Sequence, residues 1–369
     1  MTYLILTCHT GGGHNAAAKA IKEEAAKRGI TCVIQDALAF IPKPKEDFVT
    51  KGHSLAYKLI PQIYGAGYKY AENHVSGQGM LKDYSKYADK IAPYLKEHFF
   101  DAVICVHVFA AMVMTGVRRD LGIQIPTAFV ATDYTCSPGV NTLDVDRWFI
   151  PRDMTTEFIS RGVPAEKIIE TGIPVSGRLC QSVSKQEARE KLDLPQDKAI
   201  VLLSCGTIGS GGLRTKAASI IKMLDPNTLM YVLTGNNRAL LKSMSGKMAI
   251  DRVTALPFTS QMDLWMSAAD MLLSKAGGLT STEAVTRGLP VIFFDAVPGL
   301  ESHNIEYLIT RGCALSANNN EQLSNRTMKL LSSPTARRIM IDQQRRYFHE
   351  NSVKRLVDCM QELTNATLE

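Results

Sequence analysis

The chain has 369 residues, long for one domain and comfortable for two. Its 45% hydrophobic and 21% charged content excludes a disordered chain and implies a well-buried core. The net charge of +6 suits an anionic surface or an anionic substrate, but it is too modest to call for a nucleic acid. The eight cysteines form no CxxC pair, and several sit inside apolar runs, so the pattern reads as a reducing cytosol and not as a disulfide framework or zinc site. No signal peptide is expected at the N-terminus. No window approaches the roughly 20 apolar residues that a membrane span requires.

In chain order, a strand in "YLILT" enters the glycines Gly11, Gly12 and Gly13, and a helix over 15–27 follows. Adjacent glycines let backbone approach a ligand, and the helix start that follows favours an anion. His14 sits at that helix start, where the positive end of the helix dipole disfavours an imidazolium. The plainer reading is a polar cap in a tight turn. The turn is not the GxGxxG dinucleotide fingerprint, and Asp36 after the second strand, "CVIQD", is only a weak echo of one. The stretch 47–90 is rich in Tyr and Lys and lacks a clean helical period. It suits a headgroup-level interface, or an ordinary excursion packed on its own domain. Strands follow in "AVICVHV" and "PTAFVAT". Just past the latter stands Asp133, a candidate base or a simple turn cap.

The second half repeats the plan with "AIVLLSC", "LMYVLTG", "VTALPF", "MLLSK" and "PVIFF", and again a Gly-rich loop follows the first strand, at 205–212. Helices are expected at 262–268 and 280–287. Strand–helix alternation with two Gly-rich openings predicts two doubly wound parallel α/β domains in tandem, joined near 171–190. One large sheet is the alternative. In "SKAGGLTSTEAVTRGLP", Gly277 and Gly278 make the turn and Thr280, Ser281 and Thr282 begin the helix, a cradle for a pyrophosphate. Glu283, one turn in, can accept two ribose hydroxyls. A capping box on an ordinary helix would also account for this stretch.

Together, "TGGGHNAAAKAI", "ATDYT", "ETGIPV", "PFTSQMDLWMSAADMLLSKAGGLTSTEAVTRGLPVIFF" and "VPGLESHN" resemble the diacylglycerol glycosyltransferases, in order and over nearly the whole chain. That family includes the monogalactosyldiacylglycerol synthases and the processive diacylglycerol glucosyltransferases. The resemblance implies the GT-B fold, two Rossmann-like domains facing a central cleft. Residues 1–175 would bind the acceptor, 176–350 would bind the UDP-sugar, and 351–369 would form a C-terminal helix able to return to the first domain. It implies an inverting, metal-independent transfer of glucose or galactose from UDP to the hydroxyl of diacylglycerol. No cofactor is implied beyond the donor substrate itself. The expected setting is cytoplasmic and peripheral, on the anionic inner face of the cell membrane.

Residue by residue, the resemblance implies that His14, Gly12 and Gly13 lie near the acceptor hydroxyl and the sugar-phosphate, with His14 and Asp133 both candidates for the base. The backbone around Phe258, with Met262, would receive the uracil. Gly277, Gly278, Thr280 and Ser281 would hold the diphosphate, and Glu283 the ribose. Glu301 and Asn304 would face the sugar and phosphate, with Thr207 and Asn236 in the same pocket. The chain departs from the family in having Leu300 before Glu301 where "PGQE" is common, which leaves the sugar open, and in "YTCSPG" after "TD" where His and Trp often follow. The "DVD" of 144–146 resembles the metal-binding DxD of another glycosyltransferase class, but its setting beside "RWFIP" argues against a metal. Two other functions fit the same architecture: a UDP-N-acetylglucosamine 2-epimerase-like enzyme, and a non-catalytic nucleotide-sugar sensor.

Overall fold

A computed structural model describes residues 1–8, 12–41, 77–181, 183–206, 212–348 and 351–368. The expected contacts of Thr207 and the part of the Tyr/Lys-rich stretch over 47–76 lie outside the described residues. The chain divides into two compact units. The first comprises Met1–Gly177, Val297–Leu300 and Asn351–Glu369, and the second Arg178–Ala296 and Glu301–Glu350.

The first unit holds six parallel strands: β1 (Thr2–Thr7), β2 (Thr31–Asp36), β3 (Ala102–Cys105), β4 (Thr127–Val130), β5 (Arg147–Ile150) and β6 (Ile168–Glu170). Their order is β2-β1-β3-β4-β5-β6. Leu4 pairs in register with Val33 on one side and Val103 on the other. Leu4, Ile5, Leu6, Val103 and Ile104 are fully buried. Strands read as unbroken apolar runs here because helices cover both faces of the sheet. The helix Gly12–Ala26 packs with Ala17, Ala18, Ile21 and Ala25. The C-terminal helix Ser352–Leu368 is fastened to this unit by polar contacts. Arg28 donates to Asp358 at 3.1 and 2.6 Å and to Glu24 at 2.8 Å, Ser352 donates to the Ile173 carbonyl at 2.8 Å, and Thr364 to the Tyr3 hydroxyl at 3.2 Å.

The second unit repeats the plan with β7 (Ala199–Ser204), β8 (Thr228–Leu233), β9 (Val253–Leu256), β10 (Met271–Ser274), β11 (Val291–Phe294) and β12 (Leu315–Ala317), in the order β12-β11-β10-β7-β8-β9. One buried arginine pins the amino ends of its central strands. Arg189 donates to the carbonyls of Ala268, Pro195, Gln196 and Lys198 at 2.9–3.2 Å and to Asp270 at 2.9 Å. Asp270 in turn accepts the Ile200 N–H at 2.8 Å. A rigid guanidinium fork suits this role, because five donors can be satisfied at once out of water.

Both sheets are thus doubly wound, and each has a switch point where successive connections diverge to opposite sides: between β1 and β3 in the first, between β7 and β10 in the second. In open α/β sheets the crevice beyond the carboxyl ends of the strands at that point is the usual ligand site. The "DVD" carboxylates lie elsewhere and are engaged structurally. Asp146 receives a bidentate pair from Arg118 at 2.6 and 3.0 Å and the Thr127 N–H at 2.8 Å, and Asp144 lies 3.7 Å from the Arg118 Nε.

Candidate active site

Two sets of residues gather at the two switch points. In the first unit, the helix after β1 begins at Gly12, so Gly12 and Gly13 form its first turn and not a preceding loop, and His14 is its third residue. The imidazole Nδ1 of His14 lies 2.9 Å from the carbonyl oxygen of Val106, just past β3. A carbonyl can only accept, so the proton sits on Nδ1 and a neutral ring carries its lone pair on Nε2. The Thr132 hydroxyl, just past β4, is 3.2 Å from the same Nδ1. The His107 ring meets the His14 ring edge-to-face, with centroids 4.6 Å apart. The neighbouring Asn15 accepts from the buried Thr7 hydroxyl at 2.9 Å, tying the helix start to β1.

Asp133 follows Thr132 directly and is half-buried. Its loop is firmly held, since Thr132, Tyr134, Thr135 and Cys136 are all buried. Glu157 accepts the Cys136 N–H at 2.7 Å and the Thr135 hydroxyl at 3.2 Å. Asp36 caps the turn after β2 by accepting the Leu38 N–H at 2.9 Å, which accounts for its place there without a nucleotide.

In the second unit, Gly277 is the N-cap of the helix Gly278–Arg287, which starts two residues earlier than the 280–287 expected from the sequence, so Gly278 is already helical. A Cβ built on Gly277 meets no atom of the described residues within 4 Å, so they leave the space before the helix start open. The Ser281 hydroxyl is buried and has no hydrogen-bond partner among the described residues. An unsatisfied buried hydroxyl costs about 1–3 kcal/mol and is an opening for a ligand acceptor. Asn304 is fully buried and donates from Nδ2 to the Ala276 carbonyl at 2.8 Å. This contact brings the helix Leu300–Thr310, with the buried Glu301, up to the Gly277 turn.

Glu283 keeps some solvent contact, yet burial, with the nearby Asp263 adding to it, pushes its carboxyl up from 4.5 to about 7. Asp263, on the helix Met262–Ala268, lies 3.6 Å from the Arg178 Nε. The Phe258 ring is 56% exposed in the loop after β9, and Met262 begins the next helix. Asn236 is exposed in the turn after β8. Phe258 and Asn236 stand just past the carboxyl ends of strands and Met262 at the start of the next helix, while Glu283 lies further along its helix.

Sequence reasoning did not find His107, Thr132 or Val106. The run "AVICVHV" looks like one long strand, but β3 stops at Cys105. The Val106 N–H bonds to the Leu6 carbonyl at 3.0 Å, and the His107 Nδ1 caps the helix Val108–Arg119 by accepting the Phe109 N–H at 3.1 Å.

Comparison with known proteins assigns this arrangement to a class. Residues 14–175 match the family model of the monogalactosyldiacylglycerol (MGDG) synthases, and residues 184–347 match that of the glycosyl transferases group 1. Solved structures share the fold end to end. MurG of Acinetobacter baumannii superposes with a TM-score of 0.64 at 17% identity, covering 98% of this chain and 99% of that one. The UDP complex of MnaA from S. aureus gives 0.65 at 12% identity over 100% and 98%. The UDP-GlcNAc 2-epimerase of Neisseria meningitidis bound to UDP-GlcNAc gives 0.62 at 14% over 98% and 100%. The fold is therefore GT-B, two parallel-sheet α/β domains. Within that class, the first half of the chain is similar to the MGDG synthases and the second to the group 1 glycosyl transferases, and the resemblance to the diacylglycerol glycosyltransferases is borne out. Among its relatives is the processive diacylglycerol beta-glucosyltransferase of Staphylococcus saprophyticus, 27% identical over 343 residues, 90% of this chain and 85% of the relative. That of Bacillus cereus is 28% identical over 334 residues, 89% and 85%.

Proposed function

We propose that the chain transfers a hexose, glucose or galactose, from its UDP derivative to the hydroxyl of diacylglycerol with inversion. The observation that carries this reading is the match of residues 14–175 to the MGDG synthases, since it begins at His14 and covers the part of the chain that would take the lipid. The fold alone also fits the epimerase reading, because a UDP-GlcNAc 2-epimerase superposes over nearly the whole chain. The sequence of the first unit favours the lipid enzyme.

In the proposed step the acceptor hydroxyl attacks the anomeric carbon in line as the bond from that carbon to the diphosphate oxygen breaks. The hydroxyl proton passes to the Nε2 lone pair of His14, with Asp133 as the alternative base or as its orienting carboxylate. UDP leaves with the bonding pair. The N–H groups that open the helix Gly278–Arg287, with the Thr280 and Ser281 hydroxyls, meet the charge developing on the diphosphate, so this route draws on no metal or further cofactor. Glu283 binds the ribose diol, Phe258 and Met262 the uracil, and Glu301, Asn304, Asn236 and Thr207 the sugar and phosphate. The enzyme works on the anionic inner face of the cell membrane, held peripherally. Among the described residues no helix is long and apolar enough to cross a membrane.

The test is incubation with radiolabelled UDP-glucose or UDP-galactose and diacylglycerol in anionic vesicles, beside UDP-N-acetylglucosamine without lipid. Label in the lipid fraction is the expected outcome. Epimerised sugar nucleotide with no labelled lipid would replace this function with the epimerase reading.

A further inference from the structure

His107 has no part in the proposed reaction, yet its ring packs edge-to-face on the ring of His14. Its own geometry is fixed. As the N-cap of Val108–Arg119 it accepts the Phe109 N–H on Nδ1. That bond requires a bare Nδ1, so a neutral His107 carries its proton on Nε2. Protonating Nδ1 would break the cap and set a cation at the positive end of a helix, so the bond favours a neutral ring. The ring is also held from behind. Tyr84 stacks on Phe109 with centroids 4.1 Å apart and planes within 9°, Phe109 lies 4.7 Å from His107, and His107 lies 4.6 Å from His14. Four rings thus run from the helix Gly77–Ser85 to His14.

The torsion that turns an imidazole about its Cβ–Cγ bond is broad and roughly two-fold, so a hydrogen bond at one nitrogen does not by itself stop the ring from flipping. For His14 that bond is the one from Nδ1 to the Val106 carbonyl, and Val106 is the residue before His107. One short turn therefore supplies both the acceptor that sets the tautomer and the ring that walls in the imidazole.

We propose that His107 is a positioning residue for His14: its capped, neutral ring holds the His14 imidazole in the single tautomer that keeps Nδ1–H on Val106 and the lone pair on Nε2. This rests on the reading of His14 as the base. When His14 takes the proton, its neighbour is an uncharged ring and not a second imidazolium, which would repel it.

Two substitutions separate the cap from the wall. Asn is a good N-cap, so His107→Asn keeps the helix start and removes the ring; His107→Phe keeps a ring and removes the cap. The measurements are kcat, the Michaelis constant for the UDP-sugar, UDP affinity, thermal midpoint, and the 15N signals of histidine-labelled protein. For His107→Asn the expected result is a near-native midpoint and UDP affinity, a kcat lower by about 10- to 100-fold at unchanged Michaelis constant, and a His14 spectrum that moves from one Nδ1–H tautomer to a mixture. His107→Phe should melt lower yet keep the single His14 tautomer. Native kcat and a single tautomer in His107→Asn would overturn the proposal. So would mixed tautomers in His107→Phe, which decides the matter if the Asn variant fails to fold. His14→Ala serves as the control: native turnover in that variant removes the base itself, whereas its loss beside an unaffected His107→Asn removes only the positioning role.

Discussion

Both units are doubly wound six-stranded parallel sheets, though their strand orders differ, and they build their candidate sites from different materials. In the second unit the site is largely backbone: the open space before Gly277, the helix start at Gly278 and the turn that Asn304 holds at Ala276. In the first it is made mainly of side chains brought together over long stretches of sequence, with His14 meeting the Val106 carbonyl, the His107 ring and the Thr132 hydroxyl across 92 to 118 residues. A site made of main chain tolerates changes to any single side chain, whereas one made of a few rings does not. Substitutions should therefore act gradually on donor binding and steeply on turnover.

The steepest expected effect is at the base. His14→Ala should lower kcat by roughly 10²–10⁴-fold with UDP affinity unchanged. Asp133→Asn, measured beside it with circular dichroism as a folding control, shows whether the carboxylate shares that role. Native turnover in both would dissolve the contrast, leaving the first site a capped helix start. Next in size is a stability effect confined to the second unit. Arg189→Ala takes the guanidinium from four carbonyls and leaves Asp270 with Lys185 and the Ile200 N–H, and should cost about 1–3 kcal/mol in denaturant unfolding. A loss below about 1 kcal/mol would show that water replaces the guanidinium there.

These expectations differ in how far the sequence revealed them. The paired glycines before Thr280 and Ser281 were legible because a turn, a helix start and an anion site are properties of a short contiguous stretch. The strands of both sheets were legible as apolar runs for a similar reason, although β5, β6 and β12 were not singled out. The wall around His14 was hidden, since nothing local tells a β-branched run to stop at Cys105 and hand its next histidine to a helix cap. Arg189 was equally silent, because its partners are carbonyls, which every residue type carries.

Smaller effects probe the donor side. Glu283→Ala should weaken UDP binding by about 1–3 kcal/mol by calorimetry, the scale for charged hydrogen bonds. Gly277→Val, which fills open space and spares the strands, should weaken it while leaving the unfolding midpoint near native. Unchanged affinity in both would move the nucleotide elsewhere and end the backbone account of the second site. The smallest effect is a pH dependence. The Glu283 carboxyl, raised by burial and then by Asp263 to about 7, is mostly protonated at pH 6 in the free protein. Its raised value favours folding below about 4.5, and that contribution is lost as pH rises through 7. Ribose hydroxyls donate to the ionised form, so UDP affinity should rise by up to about tenfold between pH 6 and 8, with proton release. Glu283→Gln should flatten that rise, and Asp263→Asn should shift it toward lower pH. A pH-independent affinity in the native chain would mean that Glu283 does not touch the ribose.

The proposed reaction is a single in-line displacement at the anomeric carbon by a hydroxyl that a base deprotonates. Its most direct test is the anomeric configuration of the hexosyl-diacylglycerol made from an α-linked UDP-hexose, read by proton NMR of the purified lipid. The account predicts a β-linked product. An α-linked product would contradict it, since retention requires a different displacement from the single one proposed.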